Sequence, residues 1–487
     1  MKNPRRNPRI ISLFAVVSVF TFQSTGVASE TNWTFGGLLS RFLNWTSKDE
    51  NKANAEKEEN QLRLDNYFTA EELKGARPWQ PPDYSKQEGA IGWSGTVFDV
   101  PKGLESRVRF WRDIYTKYTS DQGVLHDRYN YEIIYEVVDF GAIMADPNLT
   151  ARQKERAREK LVEERRKAIS AKLKRLAQAK SPIGLPIDEL QLWHLFENVG
   201  DPHKFENASD PKRIRFQLGQ RDKFYIGIYH SGRYLREMEK IFREERLPLE
   251  LTRLPFVESS FNINARSRVG ASGVWQFMRL TARPFLKLTR EVDERNDPIK
   301  STRAAARLLR QNYQMLRSWP LAVTAYNHGA NGVRRIVRKL GTDDISEIVS
   351  RYSSKTFGFA SENFYACFLA ALEVERNADK YFPEPMWAPE LDVAEVRLRK
   401  PMPFSLLVEF FDGDRRAAEL ANPHILYRVR RGRAQIPRGH FIRVPAGRKA
   451  LAESLQRGKI SPVQAVNELK KKDEPEVSPA VKADQPL

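Results

Sequence analysis

Apolar positions recur at helical spacing along most of the chain. Thr150 to Lys180 gives the clearest helix: Val162, Ile169, Leu173 and Leu176 form a narrow stripe, and Lys and Arg occupy the other faces. Thr150 and Gln153 stand at capping-box spacing at its start. The run Ser181-Pro182-Ile183-Gly184-Leu185-Pro186 ends it and marks a boundary. Upstream, Val108, Phe110, Trp111, Ile114 and Tyr115 share a helical face, and Tyr129 to Met144 is apolar-rich until Asp146-Pro147-Asn148 breaks it. Residues 101–180 therefore read as helices, and 187–245 read as helical again, with Tyr234, Leu235, Met238 and Ile241 as core positions. Asp297-Pro298 opens a further helix, Asp as cap and Pro in the first turn, which continues through Ala304, Ala305, Ala306, Leu308 and Leu309. Glu362 to Ala378 forms a last long helix. Beyond residue 386 the pattern shifts, and the partial alternation of Val393 to Arg399 predicts a strand. Residues 30–100 are polar, with scattered Trp33, Trp45, Trp79 and Trp93, and predict a poorly ordered linker; the Lys-, Glu- and Pro-rich residues past 460 predict a disordered tail.

One stretch breaks its own pattern in a way that points to chemistry. Pro248 suits a first helical turn, and Leu251, Leu254 and Val257 recur at three-residue spacing. Glu258 closes that apolar segment. There an ionised carboxylate loses hydration to Pro255, Phe256 and Val257 and meets the negative end of a helix dipole; both effects raise its pKa. A carboxylic acid still protonated near neutral pH can act as a general acid. A polar, glycine-punctuated loop follows, with Asn262, Asn264, Ser267, Gly270, Ser272 and Gly273, and then Val274-Trp275-Gln276-Phe277-Met278. No Asp or Glu lies between Glu258 and Glu291, so the local sequence offers one acid and no companion. The plain alternative is a solvated Glu at a helix end.

Composition narrows the classes. The chain has 487 residues, enough for two or three domains, and a formal charge of +19. That charge suits a polyanionic partner: nucleic acid, an anionic membrane surface that the chain touches peripherally, or an anionic wall polymer. It equally suits a role in solubility alone. Lys2, Arg5, Arg6 and Arg9, the apolar run Ile10 to Phe22 and the small residues Val27-Ala28-Ser29 predict a secretory signal over residues 1–29. An exported protein, in the periplasm or cell envelope, does not meet chromosomal DNA, so no nucleic-acid partner is expected. The single cysteine, Cys367, lies far from the signal, which excludes a cysteine lipid anchor there and any internal disulfide; it reads as apolar filler. The seven histidines, at 126, 194, 203, 230, 328, 424 and 440, show no metal-ligand spacing, and no phosphate loop or GxSxG elbow occurs. Neither metal nor cofactor is expected.

The three segments Glu258-Ser259, Gly273-Val274-Trp275-Gln276-Phe277-Met278 and Ala325-Tyr326-Asn327-His328-Gly329 resemble, in order and spacing, the motifs of the lytic murein transglycosylases. Gly232-Arg233-Tyr234-Leu235 through Leu247-Pro248-Leu249-Glu250-Leu251 points to the branch of membrane-bound lytic transglycosylase D. The resemblance covers roughly residues 195–385. His328 departs from it, since the family has a smaller residue there. Tyr365 matches the tyrosine of a fourth motif, but the acidic residue expected four positions earlier is Ser361, with Glu362 one place late. A core aromatic is the alternative for Tyr365.

The resemblance implies a mainly α chain: a lysozyme-like catalytic domain over 187–385, a helical N-terminal extension over 101–186, a small α+β module over 386–460 and a tail over 461–487. Ala418 to Pro423 and then Ile436-Pro437 through Ile442-Arg443-Val444-Pro445 resemble a degenerate LysM-type wall-binding module; a structural appendage is the alternative. The implied substrate is the glycan strand of peptidoglycan. Glu258 would serve as acid and then base, and Ser259 would end its helix. Ser267 and Gln276 would bond the acid or the sugar, and Met278 would line the cleft. Tyr326 and Asn327 would orient the acetamido group, and Tyr365 would complete that wall. A hydrolase, which needs a second carboxylate or an activated water, and a non-catalytic wall-binding protein remain the competing classes.

Overall fold

The computed structural model describes residues 63–85, 87 and 89–471. The expected signal, residues 30–62 of the expected linker and residues 472–487 of the expected tail lie outside the described residues. Contacts divide the chain into two compact units. The first holds residues up to Asn262, Ser267–Val269 and Ala305–Pro389; the second holds Ile263–Arg266, Gly270–Ala304 and the chain from Glu390 onward.

The main elements of the first unit are, in chain order, β1 (Arg77–Pro78), α1 (Glu105–Thr116), β2 (Gln122–Asp127), β3 (Ile134–Asp139), α2 (Ala151–Leu176), β4 (Ile214–Leu218), α3 (Arg221–Ser231), α4 (Leu235–Glu244) and, after a 3-10 turn at Leu249–Arg253, α5 (Leu254–Ser259). The chain returns through α6 (Pro298–Leu316), which begins in the second unit, and then α7 (Trp319–His328), α8 (Ala330–Leu340), α9 (Phe359–Arg376) and β5 (Met386–Trp387). α9 is buried along nearly its whole length and packs on α1, α5 and α7.

The all-helical reading of 101–180 and 187–245 is corrected at three places. β2, β3 and β4 form an antiparallel sheet in the order β3–β2–β4, with Val124 opposite both Val137 and Gln217. Ile133, Ile134, Val137 and Val138 are β-branched and fit a pleated surface. The α2 stripe of Val162, Ile169, Leu173 and Leu176 covers that sheet, joining Leu125, Val138, Phe140 and Ile214 in one buried cluster. α2 itself forms as expected, with the Thr150–Gln153 capping box in place. The described part of the expected linker also packs. Trp79 and Tyr84 are buried, Gln87 Nε2 donates to Glu250 (2.9 Å), and Trp93 Nε1 donates to Glu250 (3.0 Å). Isolated aromatics, rather than a periodic stripe, anchor this segment to the turn before α5.

In the second unit β6 (Val393–Arg397) pairs antiparallel with β7 (Phe441–Pro445), Val396 opposite Ile442, and α10 (Lys449–Gln456) and α11 (Pro462–Lys471) follow. Val396, Leu407, Phe410, Ile425, Ile442 and Val444 centre its core. The two halves of the suspected wall-binding pattern meet: Asn422 Nδ2 donates to Arg443 O (2.8 Å), and its Oδ1 accepts from Arg443 N (2.7 Å). The tail expected to be disordered from 461 is helical to 471. Ser461 and Gln464 cap each other's backbone (2.7 and 3.2 Å), and Ala465 and Leu469 are buried. Asp297 caps α6 through Ile299 N and Lys300 N (3.0 Å each). Among the described residues no helix is long and apolar enough to cross a membrane.

Candidate active site

The first unit delivers Glu258 at the end of a short, deeply buried rod. Leu249 through Val257 are all buried, and Pro255 stands at the start of α5. Ser259 is its last residue; Ser259 Oγ donates to Pro255 O (3.3 Å) and Ser260 takes a left-handed conformation as the cap. Behind the rod, Phe224 of α3 stacks on Phe256 (4.7 Å between centroids), which meets Phe261 edge-on (4.7 Å). Gly227 lets α3 come this close, since a Cβ there would lie 2.9 Å from Ser260 O.

Glu258 is half-buried. Loss of hydration raises its pKa from 4.5 to about 8, and no neighbouring charge contributes to that shift. Desolvation, the first of the two causes expected from the sequence, carries it. Among the described residues no hydrogen bond to the Glu258 carboxyl is formed. Among the described residues, Tyr326, Tyr115 and Cys367 feel it. Tyr326 has its pKa pushed well up by burial and then by Glu258. Tyr115 and Cys367 are fully enclosed, bond to each other, and are likewise raised by burial with a smaller push from Glu258. Cys367 is buried, as an apolar filler would be, yet it lies near the acid. Neither it nor Tyr115 stands in a motif, so no local signal pointed to them.

Of the other candidates, Asn327 is buried, and its Oδ1 accepts from Ser361 Oγ (2.8 Å), which turns its amide N–H groups the other way. Ser361 stands where the resemblance calls for an acid, and it is the donor to Asn327 Oδ1. Glu362 points elsewhere, to Arg128 (3.2 Å) and Ser353 Oγ (3.1 Å). Tyr365 is buried on α9, and its hydroxyl has no hydrogen-bond partner among the described residues. Burial, then Asp99, push that phenol's pKa up. His328, the bulky departure, meets the Phe357 ring edge-on (4.9 Å); burial lowers its pKa to about 4. Gly332 makes room for it, since a Cβ there would lie 2.6 Å from His328 Cδ2. Ser267 also belongs to this unit and is half-buried, between exposed Arg266 and Arg268.

Gln276 and Met278 belong to the second unit. There Gln276 Nε2 donates to Gly273 O (2.8 Å) and Ala265 O (3.1 Å), so its amide nitrogen clasps the loop. Gly273 has φ +80°, and a Cβ on it would fall 1.9 Å from Arg295 O, so only glycine fits. Trp275 Nε1 donates to Thr302 Oγ1 (2.8 Å), and Arg295 Nη1 donates to Gly270 O (2.7 Å) and Phe277 O (2.9 Å). Met278 is half-buried at the end of this loop.

With this geometry in view, comparison with known proteins gives the following. Residues 238–349 match the Transglycosylase SLT domain family, so the chain carries an SLT transglycosylase domain. The match includes Glu258, Gln276, Tyr326 and Asn327 and stops before Tyr365. The chain is 30% identical over 141 residues to membrane-bound lytic murein transglycosylase D of Escherichia coli strain K12, which covers 28% of this chain and 30% of that protein. It is 33% identical over 109 residues to a putative tributyltin chloride resistance protein of Alteromonas sp. strain M-1, covering 22% of this chain and 53% of that one. The chain thus spans about a third and about half of the lengths of these relatives.

Proposed function

We propose that this chain is a peptidoglycan lytic transglycosylase, cleaving the β-1,4 bond between N-acetylmuramic acid and N-acetylglucosamine and leaving 1,6-anhydromuramyl ends. The observation that carries the reading is Glu258: a carboxyl held protonated by burial alone, with no charged partner acting on it. Its proton goes to the glycosidic oxygen as the bond to C1 breaks. The acetamido oxygen of the muramyl residue supports the cation-like C1 in place of a second carboxylate. The 6-hydroxyl then attacks C1 and gives its proton to the Glu258 carboxylate, which restores the acid. No water is consumed.

Tyr326 lies within electrostatic reach of the acid, and Asn327, whose Oδ1 accepts from Ser361, turns its amide donors away from that bond. Both suit the acetamido group. The buried Tyr365 hydroxyl has no acceptor of its own among the described residues and suits a sugar oxygen. Ser267 is assigned to the cleft wall. Gln276 is assigned to the loop's shape, because its amide nitrogen is already engaged. The same reading places the protein in the periplasm or cell envelope, acting on peptidoglycan glycan strands, with peripheral contact to an anionic membrane surface and no nucleic-acid partner.

Mass spectrometry of fragments released from purified sacculi tests it. Anhydro ends lighter by one water than the hydrolytic product are expected. Hydrated ends would mean a lysozyme-type hydrolase, and sedimentation with sacculi without release would mean a binding protein.

A further inference from the structure

Asn327 and Ser361 also line one side of a cavity of ≈ 820 Å³ within the first unit. That volume is in the range of ligand sites. Five basic side chains line it, Arg128, Lys212, Arg213, Arg215 and Lys355, against one acid, Asp210. Two of the five are already neutralised: Arg128 by Glu362 (3.2 Å) and Arg213 by Asp127 (2.5 Å). Arg215 has no ion pair among the described residues. Its guanidinium lies over the Phe359 ring (4.1 Å). The Nε–H groups of both Arg128 and Arg215 are buried and find no acceptor among the described residues. Burial, and then the like charge of Arg128, lower the Arg215 pKa to about 10. Crowded, desolvated cations of this kind are costly until an anion completes them. Beside them Tyr129 is 66% exposed, with the Arg128 and Arg213 guanidiniums against its ring (5.6 and 5.5 Å).

We propose that this cavity binds the carboxylates of the stem peptide carried by the glycan strand being cut at Glu258. The inference rests on the glycan-cleaving reading and adds to it a second point of recognition. Arginine forks match planar carboxylates in bidentate fashion. Asn327 lines the cavity and is the chain neighbour of Tyr326, whose phenol feels the Glu258 carboxyl, so the cavity lies beside the acid's surroundings. A peptide joined covalently to the sugar suits that position; a free phosphate or a lipid headgroup does not.

The test compares peptide-bearing glycan with the same glycan stripped of its peptides by an amidase. Arg215→Met should raise KM on peptide-bearing strands on the order of tenfold, as for one lost charge-assisted hydrogen bond, with kcat little changed. On stripped strands the variant and the parent should coincide. Equal effects on both substrates, or none on either, overturn the proposal. Lys355→Ala, at an exposed position, should shift KM the same way by a smaller factor, and it decides the matter should Arg215→Met misfold. Calorimetry with a short synthetic stem peptide separates this site from the chemistry. Peptide binding by a chain that cleaves nothing sinks the catalytic reading and leaves the cavity standing. Cleavage without peptide preference does the reverse. Binding of inorganic phosphate or anionic vesicles without binding of the peptide also overturns the proposal.

Discussion

Each unit of this chain buries a carboxyl group, and the two are treated in opposite ways. Burial raises the pKa of Glu258 to about 8, and no neighbouring cation acts on it. Burial also works to raise Asp297, which is fully enclosed, but there Arg443, His424 and backbone N–H groups more than reverse it and hold the carboxylate well below its usual range. Arg443 reaches Asp297 with both terminal nitrogens (2.7 and 2.9 Å), and Asp297 in turn caps α6. Desolvation is common to both sites; the partners decide the outcome. An acid left without partners keeps its proton for chemistry, whereas a carboxylate surrounded by donors serves as a structural pin.

Five changes would break or sharpen that contrast. Glu258→Gln removes the proton donor and should lower solubilisation of sacculi on the order of a hundred- to ten-thousand-fold. It should also raise stability above about pH 5, because folding no longer opposes ionisation of the group; the folded pKa exceeds the unfolded value, so the penalty grows from 4.5 up to about 8. Asp297→Asn should do the opposite and destabilise, and denaturant melts of the two variants at pH 7.5 compare them directly. Arg443→Ala leaves the Asp297 charge buried and less compensated and should cost about 3–5 kcal/mol, read from the same melts. Acidification should weaken both units, through His126 in the first and His424 in the second. Burial holds their pKa values near about 3 and about 4, against 6.5 unperturbed. Their contribution is fully present above about pH 6.5 and is lost as the pH falls through those folded values; thermal melts between pH 7 and 4 check it. Ser361→Ala should have the smallest effect, about 0.5–1.5 kcal/mol, expressed in kcat as Asn327 loses its orientation. An unchanged kcat would remove Asn327 from the account.

Local signals carried several helix starts and the rod that ends at the acid. The Thr150 capping box, the Asp297-Pro298 start and the apolar rod ending at Glu258 each need only a few neighbouring residues to be read. The sheet was not legible in the same way, because residues 122–127, 134–139 and 214–218 become strands only where α2 covers them and 122–127 pairs with both of the others. Gln276 shows the limit for the site. Its place in a motif marked it as important, but its engagement by Ala265 and Gly273 depends on a loop closed by Arg295, downstream at residue 295. Ser361 looked like a departure, and the bond it gives Asn327 explains it. Arg128 and Arg215 come from separate strand ends, so their crowding is a tertiary fact.

The most direct measurement is a site-resolved titration of the Glu258 carboxyl, followed by carbon NMR with the resonance assigned by Glu258→Gln. A midpoint near pH 8 is predicted, with activity on sacculi declining over the same range. A midpoint near 4.5 would show a hydrated, ionised carboxylate and would contradict the account.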